Sequence, residues 1–125
     1  MSGPRPDNTP RGDGGTLAML DKLSDASLMS NERDAMVQKL GSDRITISVV
    51  IDRVELTSAF DVPEGLKDGR TVLGNVNGLR TKVAARFAGI MNPELVKLKR
   101  GESLTVQGRV AGWDGLYDRV NIDVA

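Results

Sequence analysis

The chain has no cysteine and no histidine among its 125 residues. Without cysteine no disulfide forms, and the redox compartment leaves no mark on the sequence. The two absences together remove nearly all zinc sites, Ser-His and Cys-His catalysis, and histidine switching near neutral pH. Aromatic residues make up 3% of the chain, one Trp, one Tyr and two Phe, so stacking platforms are scarce. The 17 Lys/Arg and 17 Asp/Glu cancel, which removes any global attraction to nucleic acid or anionic lipid. No apolar run approaches the roughly 18 residues that span a bilayer. The N-terminus lacks the basic and then apolar pattern of a secretory signal. The expectation is a cytoplasmic protein with no membrane partner, no metal and no cofactor.

What is present is an ordinary globular composition, 39% hydrophobic and 27% charged, with room for one domain around a modest core. Residues 1–15 hold three prolines and four glycines and read as a disordered tail, since they offer too little apolar surface to offset ordering entropy. Arg11-Gly12-Asp13 within it is the integrin-type tripeptide, which a Gly/Asp-rich tail produces by chance. A helical segment is expected over 16–41. Leu17, Leu20 and Leu23 recur at a spacing of three, with Thr16 as N-cap. A second helix is expected from about Asn31 to Leu40, capped by Ser30 or Asn31 and ended by Gly41, with Met29, Met36 and Leu40 on its buried side.

Residues 43–125 carry strand patterns and one short helix. From Ile45 the apolar residues fall on odd positions, Ile45, Ile47, Val49 and Ile51; then the parity changes to Val54 and Leu56. One extra residue near Asp52 and Arg53, a β-bulge, accounts for the slip. A long first strand bent in this way can pair with two partners and close a small barrel. Residues 59–69 read as a loop. Val76-Asn77-Gly78-Leu79 predicts a type I′ hairpin in which Val76 faces Leu79, Gly74 faces Thr81 and Val72 faces Val83. Its core face then holds Val72, Gly74, Val76, Leu79, Thr81, Val83, Ala85 and Phe87. Its solvent face holds Thr71, Leu73, Asn75, Arg80, Lys82, Ala84 and Arg86. A linking helix is marked by Asn92 as N-cap, Pro93 at N1, Leu95 and Leu98 on one face, and Gly101 as its stop. A fourth strand alternates Leu104, Val106, Gly108 and Val110 inward. A fifth alternates Val120, Ile122 and Val124 inward, and residues 111–118 between them read as a loop. The expected fold is mainly β: a five-stranded OB-fold barrel, β-β-β-α-β-β, preceded by one or two N-terminal helices.

Two surfaces are candidates for binding. The first is the outward face of strands 2 and 3, with Asn75, Arg80, Lys82 and Arg86. Between Lys67 and Arg109 there are nine Lys/Arg against three Asp/Glu, so zero net charge hides a possible basic stripe. That face carries no aromatic ring, and alternating basic residues on an exposed strand also serve solubility. The second is the strand 4–5 loop with Trp113 and Tyr117. They either clamp a ligand or partner, or Trp113 folds back over an open barrel end and Tyr117 begins strand 5. Asp114 and Asp118 in the same loop suit turn and capping roles better than a metal pair. No Asp or Glu is tied by motif to a nucleophile, a phosphate loop or a metal, so no enzyme is expected.

The stretch from Ile45 onward, about two-thirds of the chain, resembles small bacterial OB-fold domains of the tRNA-anticodon-binding-like kind. The resemblance is carried by the Val/Ile-rich first strand, by the run Leu98, Gly101, Leu104, Val106, Gly108 and Val110, and by the final short strand. It implies the fold far more than any activity. The first functional reading is a non-catalytic interaction or accessory module with a protein partner. The alternative is weak, sequence-independent binding of single-stranded nucleic acid or another polyanion.

Overall fold

The parity slip in the first strand is where the sheet turns. The structure, a computed structural model, describes residues 13–57 and 62–124. The first strand, β1, runs Ile45–Leu56. It pairs with β2 (Arg70–Val76) from Val49 onward and with β4 (Ser103–Asp114) up to Val50. Against β2 the register steps between Ile51, opposite Gly74, and Arg53, opposite Leu73, so Asp52 is the extra residue. Arg100 fixes the bulge, with Nη2 2.9 Å from Asp52 Oδ1. The backbone of Ile51 closes it from below, donating to Glu102 O and accepting from Gly101 N, each at 2.8 Å. Ile51 and Val54 both face the core across the step, as expected. Leu56 does not: it lies beyond the last core layer and is 71% exposed.

With β3 (Lys82–Arg86) and β5 (Arg119–Val124) the order is β1-β2-β3-β5-β4, returning to β1, so the five-stranded sheet is closed. Only the β3–β5 pair is parallel. Strand exceeds helix in a mixed, mainly β architecture. Its interior is filled by Ile47, Val49, Ile51, Val72, Val76, Val83, Val106, Val120 and Ile122, all buried. The inward residues expected for β2 to β5 are those found, apart from half-buried Leu79, Leu104 and Val124 packed at the margins.

Two helices, α1 (Asp13–Leu23) and α2 (Ser30–Leu40), continue this core through Leu20, Leu23 and Leu40. The Thr81 hydroxyl donates to Leu20 O at 2.6 Å, tying α1 to the β2–β3 turn. Between the helices, Ser27 donates its hydroxyl and amide to Asp25 Oδ1, which holds that carboxyl below its ordinary range. No helix among the described residues is long and apolar enough to cross a membrane.

Several local expectations are corrected. Helix α1 starts three residues before Thr16, inside the stretch read as tail; residues 1–12, with most of the integrin-type tripeptide, lie outside the described residues. Neither Ser30 nor Asn31 caps α2. Met29 is the N-cap, its amide donating to the Glu32 carboxylate at 3.0 Å, and its side chain is exposed rather than buried. The β2–β3 turn is not type I′, because only Gly78 takes positive φ (83°) and Asn77 does not. The hairpin closes at Val76 and Thr81, so Gly74 faces Val83 and Val72 faces Ala85. A shift of two residues keeps every side chain on its face. The linking helix is one turn, α3 (Asn92–Leu95), after a 3-10 turn at Gly89–Met91. Met91 precedes it as N-cap, and the Asn92 side chain instead donates its Nδ2 to Asp68 O at 3.0 Å. Strand β4 extends to Asp114 through a second register step between Val110 and Gly112, which leaves residues 115–118 as the turn in place of an eight-residue loop.

Candidate binding groove

The outer faces of β2, β3 and β5 form one surface. Across it, Leu73 sits opposite Ala84 and Ala84 opposite Asn121; Arg86 pairs with Asp123, and Lys82 with Arg119. This surface is not a bare solvent face. Thr71, Leu73 and Ala84 are buried on it, because long side chains and a turn from neighbouring elements stand over them. The result is a groove of about 690 Å³. One bank comes from the β1–β2 connection (Leu56, Thr57, Val62) and the other from the β4–β5 turn (Leu116, Tyr117).

Each bank is held by polar contacts suited to its residues. The hydroxyls of Thr57 and Thr71 meet at 2.8 Å. Asp114 Oδ1 accepts from the amides of Leu116 (2.9 Å) and Tyr117 (3.3 Å), a side-chain-closed turn of the kind Asp favours. Asp118 follows with φ of 52°, left-handed backbone that Asp tolerates better than most residues. Arg119 then reaches Asp114 at 3.6 Å, and its guanidinium lies 4.6 Å from the Tyr117 ring centroid. The turn therefore presents Leu116, 81% exposed, and Tyr117, 57% exposed, at the rim.

The six residues expected at a binding surface separate into three settings. Arg86, Trp113 and Tyr117 line this groove. Asn75, Lys82 and Tyr117 line a smaller neighbour of about 280 Å³ over Leu73. Arg80 belongs to the β2–β3 turn rather than to β3, and joins Lys82 and Trp113 on a third cavity facing the helices. Trp113 is a strand residue opposite Val120, half-buried against the core, with the Arg33 guanidinium 4.9 Å from its ring centroid. It packs on the core from within β4 rather than from a loop, whereas Tyr117 precedes β5 and lines the groove.

The basic stripe is partly neutralised in space. Carboxylates from outside residues 67–109 reach back into it: Asp123 to Arg86 at 2.6 Å, Asp21 to Arg80 at 3.4 Å and Asp52 to Arg100 at 2.9 Å. The Arg86–Asp123 pair is the tightest and most shielded, with the two side chains 12% and 24% exposed. Lys82 stays unpaired on this face: like Arg70, Lys97, Lys99 and Arg109 elsewhere in the stripe, its side chain forms no hydrogen bond or ion pair among the described residues. Sequence reasoning does not find Arg119 and Leu116 as groove residues, nor Asp123 as the partner of Arg86. The alternation around Val120 and Ile122 does point Asp123 outward, but nothing local says that β5 lies beside β3. Arg86→Ala is expected to cost about 2 kcal/mol in urea denaturation, since it strands a shielded carboxylate. Lys82→Ala is expected to stay within about 0.5 kcal/mol.

No protein-family model matches the chain, and neither a curated protein nor a solved structure matches it.

Proposed function

We propose that this chain is a non-catalytic OB-fold interaction module, of the small bacterial tRNA-anticodon-binding-like kind it resembles, and that its groove holds a segment of a partner protein. The fold reading is supported by the strand order, by a first strand shared between β2 and β4, and by the helix between β3 and β4. The groove lies on the face and between the two loops that this fold uses for ligands.

One observation carries the choice of ligand. The groove's cations are engaged by the protein's own carboxylates, while Leu56, Leu116 and Tyr117 stand exposed around it. A phosphate backbone draws its affinity from cations that shed counterions on binding. Arg86 and Arg119 would have to leave Asp123 and Asp114 first. An apolar rim around a polar floor of Thr71, Asn121 and paired charges suits a polypeptide, whose side chains and amides match both.

The test is selection of a displayed random-peptide library on the whole chain. Peptides with apolar anchors are expected, weakened about tenfold by Leu116→Ser with Tyr117→Ser and little affected by salt. Peptides indifferent to those substitutions would overturn the reading. So would a labelled oligothymidylate bound at low salt with a slope near −0.7 per phosphate contact and released by Lys82→Ala, which would favour single-stranded nucleic acid.

A further inference from the structure

A separate cavity of about 400 Å³ lies between the α1–α2 turn, the β2–β3 turn and the end of the β4–β5 turn. Three cations from separate stretches line it: Arg33 of α2, Arg80 of the β2–β3 turn and Lys82 at the start of β3. Asp118 is its one carboxylate. The charges are not cancelled as they are in the groove. Arg33 donates Nε to Leu23 O and Nη2 to Asp25 O, both at 3.0 Å. Neutral carbonyls orient a guanidinium without removing its charge, and no ion pair to Arg33 occurs among the described residues. Arg80 shares Nε with Asp21 at 3.4 Å, which leaves most of its five N–H donors. Lys82 has no partner among the described residues.

A second observation points the same way. Ser24 also lines the cavity, and its Oγ is shut off from solvent with no hydrogen-bond partner. A buried hydroxyl left unpaired is unfavourable, and rotation of the Ser24 side chain towards the cavity would give it an acceptor there.

We propose that this cavity binds a small ligand through a terminal phosphate or pyrophosphate group. Such a group is a compact acceptor with charge near −2 at neutral pH, matched to convergent ammonium, guanidinium and hydroxyl donors. Enclosure between two turns favours a small molecule over a continuous polyanion, and Asp118 on the same wall opposes a long run of phosphates. The ring of Trp113 forms part of the wall and offers contact to whatever carries the phosphate.

Trp113 is the single tryptophan, so its emission reports occupancy directly. The whole chain is titrated with inorganic pyrophosphate and, separately, with ADP. A saturable change with Kd below about 1 mM is expected. Lys82→Ala and Ser24→Ala are each expected to weaken binding about tenfold, with unchanged circular dichroism. Lys99→Ala, an exposed lysine after α3, is expected to leave it unaltered. Equal affinity for the two probes assigns recognition to the phosphates alone; tighter ADP binding assigns part of it to the Trp113 wall. No saturable response to either probe, or one undiminished in both Lys82→Ala and Ser24→Ala, would overturn the proposal. Peptide selection at the groove is read separately and survives either result.

Discussion

Gly74→Ala is expected to destabilise the protein by about 3 kcal/mol or more. A Cβ at Gly74 would lie 2.1 Å from Val50 O and 3.0 Å from both Val50 C and Val49 Cγ1. Gly74 sits opposite Ile51, the residue just before the extra Asp52. The bend that lets β1 serve both β2 and β4 drives its carbonyl towards β2 at this point. That carbonyl belongs to a closed ladder, so it has little freedom to retreat. Gly108 has the same position at the other seam, where a Cβ would lie 2.3 Å from Asp123 O. Gly112, also in β4, has nothing within 4 Å of its would-be Cβ. Gly112→Ala is therefore expected to be neutral or to stabilise by up to about 1 kcal/mol, through the less flexible unfolded chain. The comparison is made by urea midpoints at constant m-value. If Gly74→Ala tracked Gly112→Ala, the bend at Asp52 would be yielding rather than fixed.

That bend was legible because alternation is local. A period of two, read over twelve residues from Ile45 to Leu56, records an inserted residue without reference to any partner strand. The same locality explains the errors. Asn77-Gly78 matches a common turn pair, yet the turn chosen depends on how β2 and β3 meet the rest of the sheet, and only Gly78 adopts positive φ. Leu56 follows the inward parity but lies past the last core layer, which no pattern within β1 can announce. The site suffered most. Charges counted along residues 67–109 overstate the basic stripe at Arg80, Arg86 and Arg100, because their partners Asp21, Asp123 and Asp52 come from elements whose neighbours are set by topology. The parallel β3–β5 pairing, which brings Asp123 to Arg86, has no signature in either strand. Tyr117 reached an apparently ring-free face for the same reason.

Leu20→Ala is expected to cost about 3 kcal/mol, in the range for a leucine removed from a closed core. Leu20 is fully buried, and it shares one cluster with Leu23, Leu40 and the interior of the sheet. Its helix is also tied by polar contacts, through Thr81 to Leu20 O and through Arg33 to Leu23 O and Asp25 O. At the far end of α2, Gly41 approaches β4 so closely that a Cβ would lie 2.8 Å from Val110 O. The helices and the sheet should therefore melt together. Far-ultraviolet dichroism at 222 nm and Trp113 emission are expected to give coincident urea transitions, both shifted equally by Leu20→Ala. A helical transition preceding the Trp113 transition, with the latter unmoved, would make the helices an appendage. The distinction bears on binding. If the helices complete the core, the cavity of Ser24, Arg33, Arg80 and Lys82 is a fixed part of the fold. Truncating residues 16–41 would then abolish binding by unfolding the sheet. Side-chain substitutions at Lys82, Leu116 and Tyr117 are consequently the changes that can separate recognition from stability.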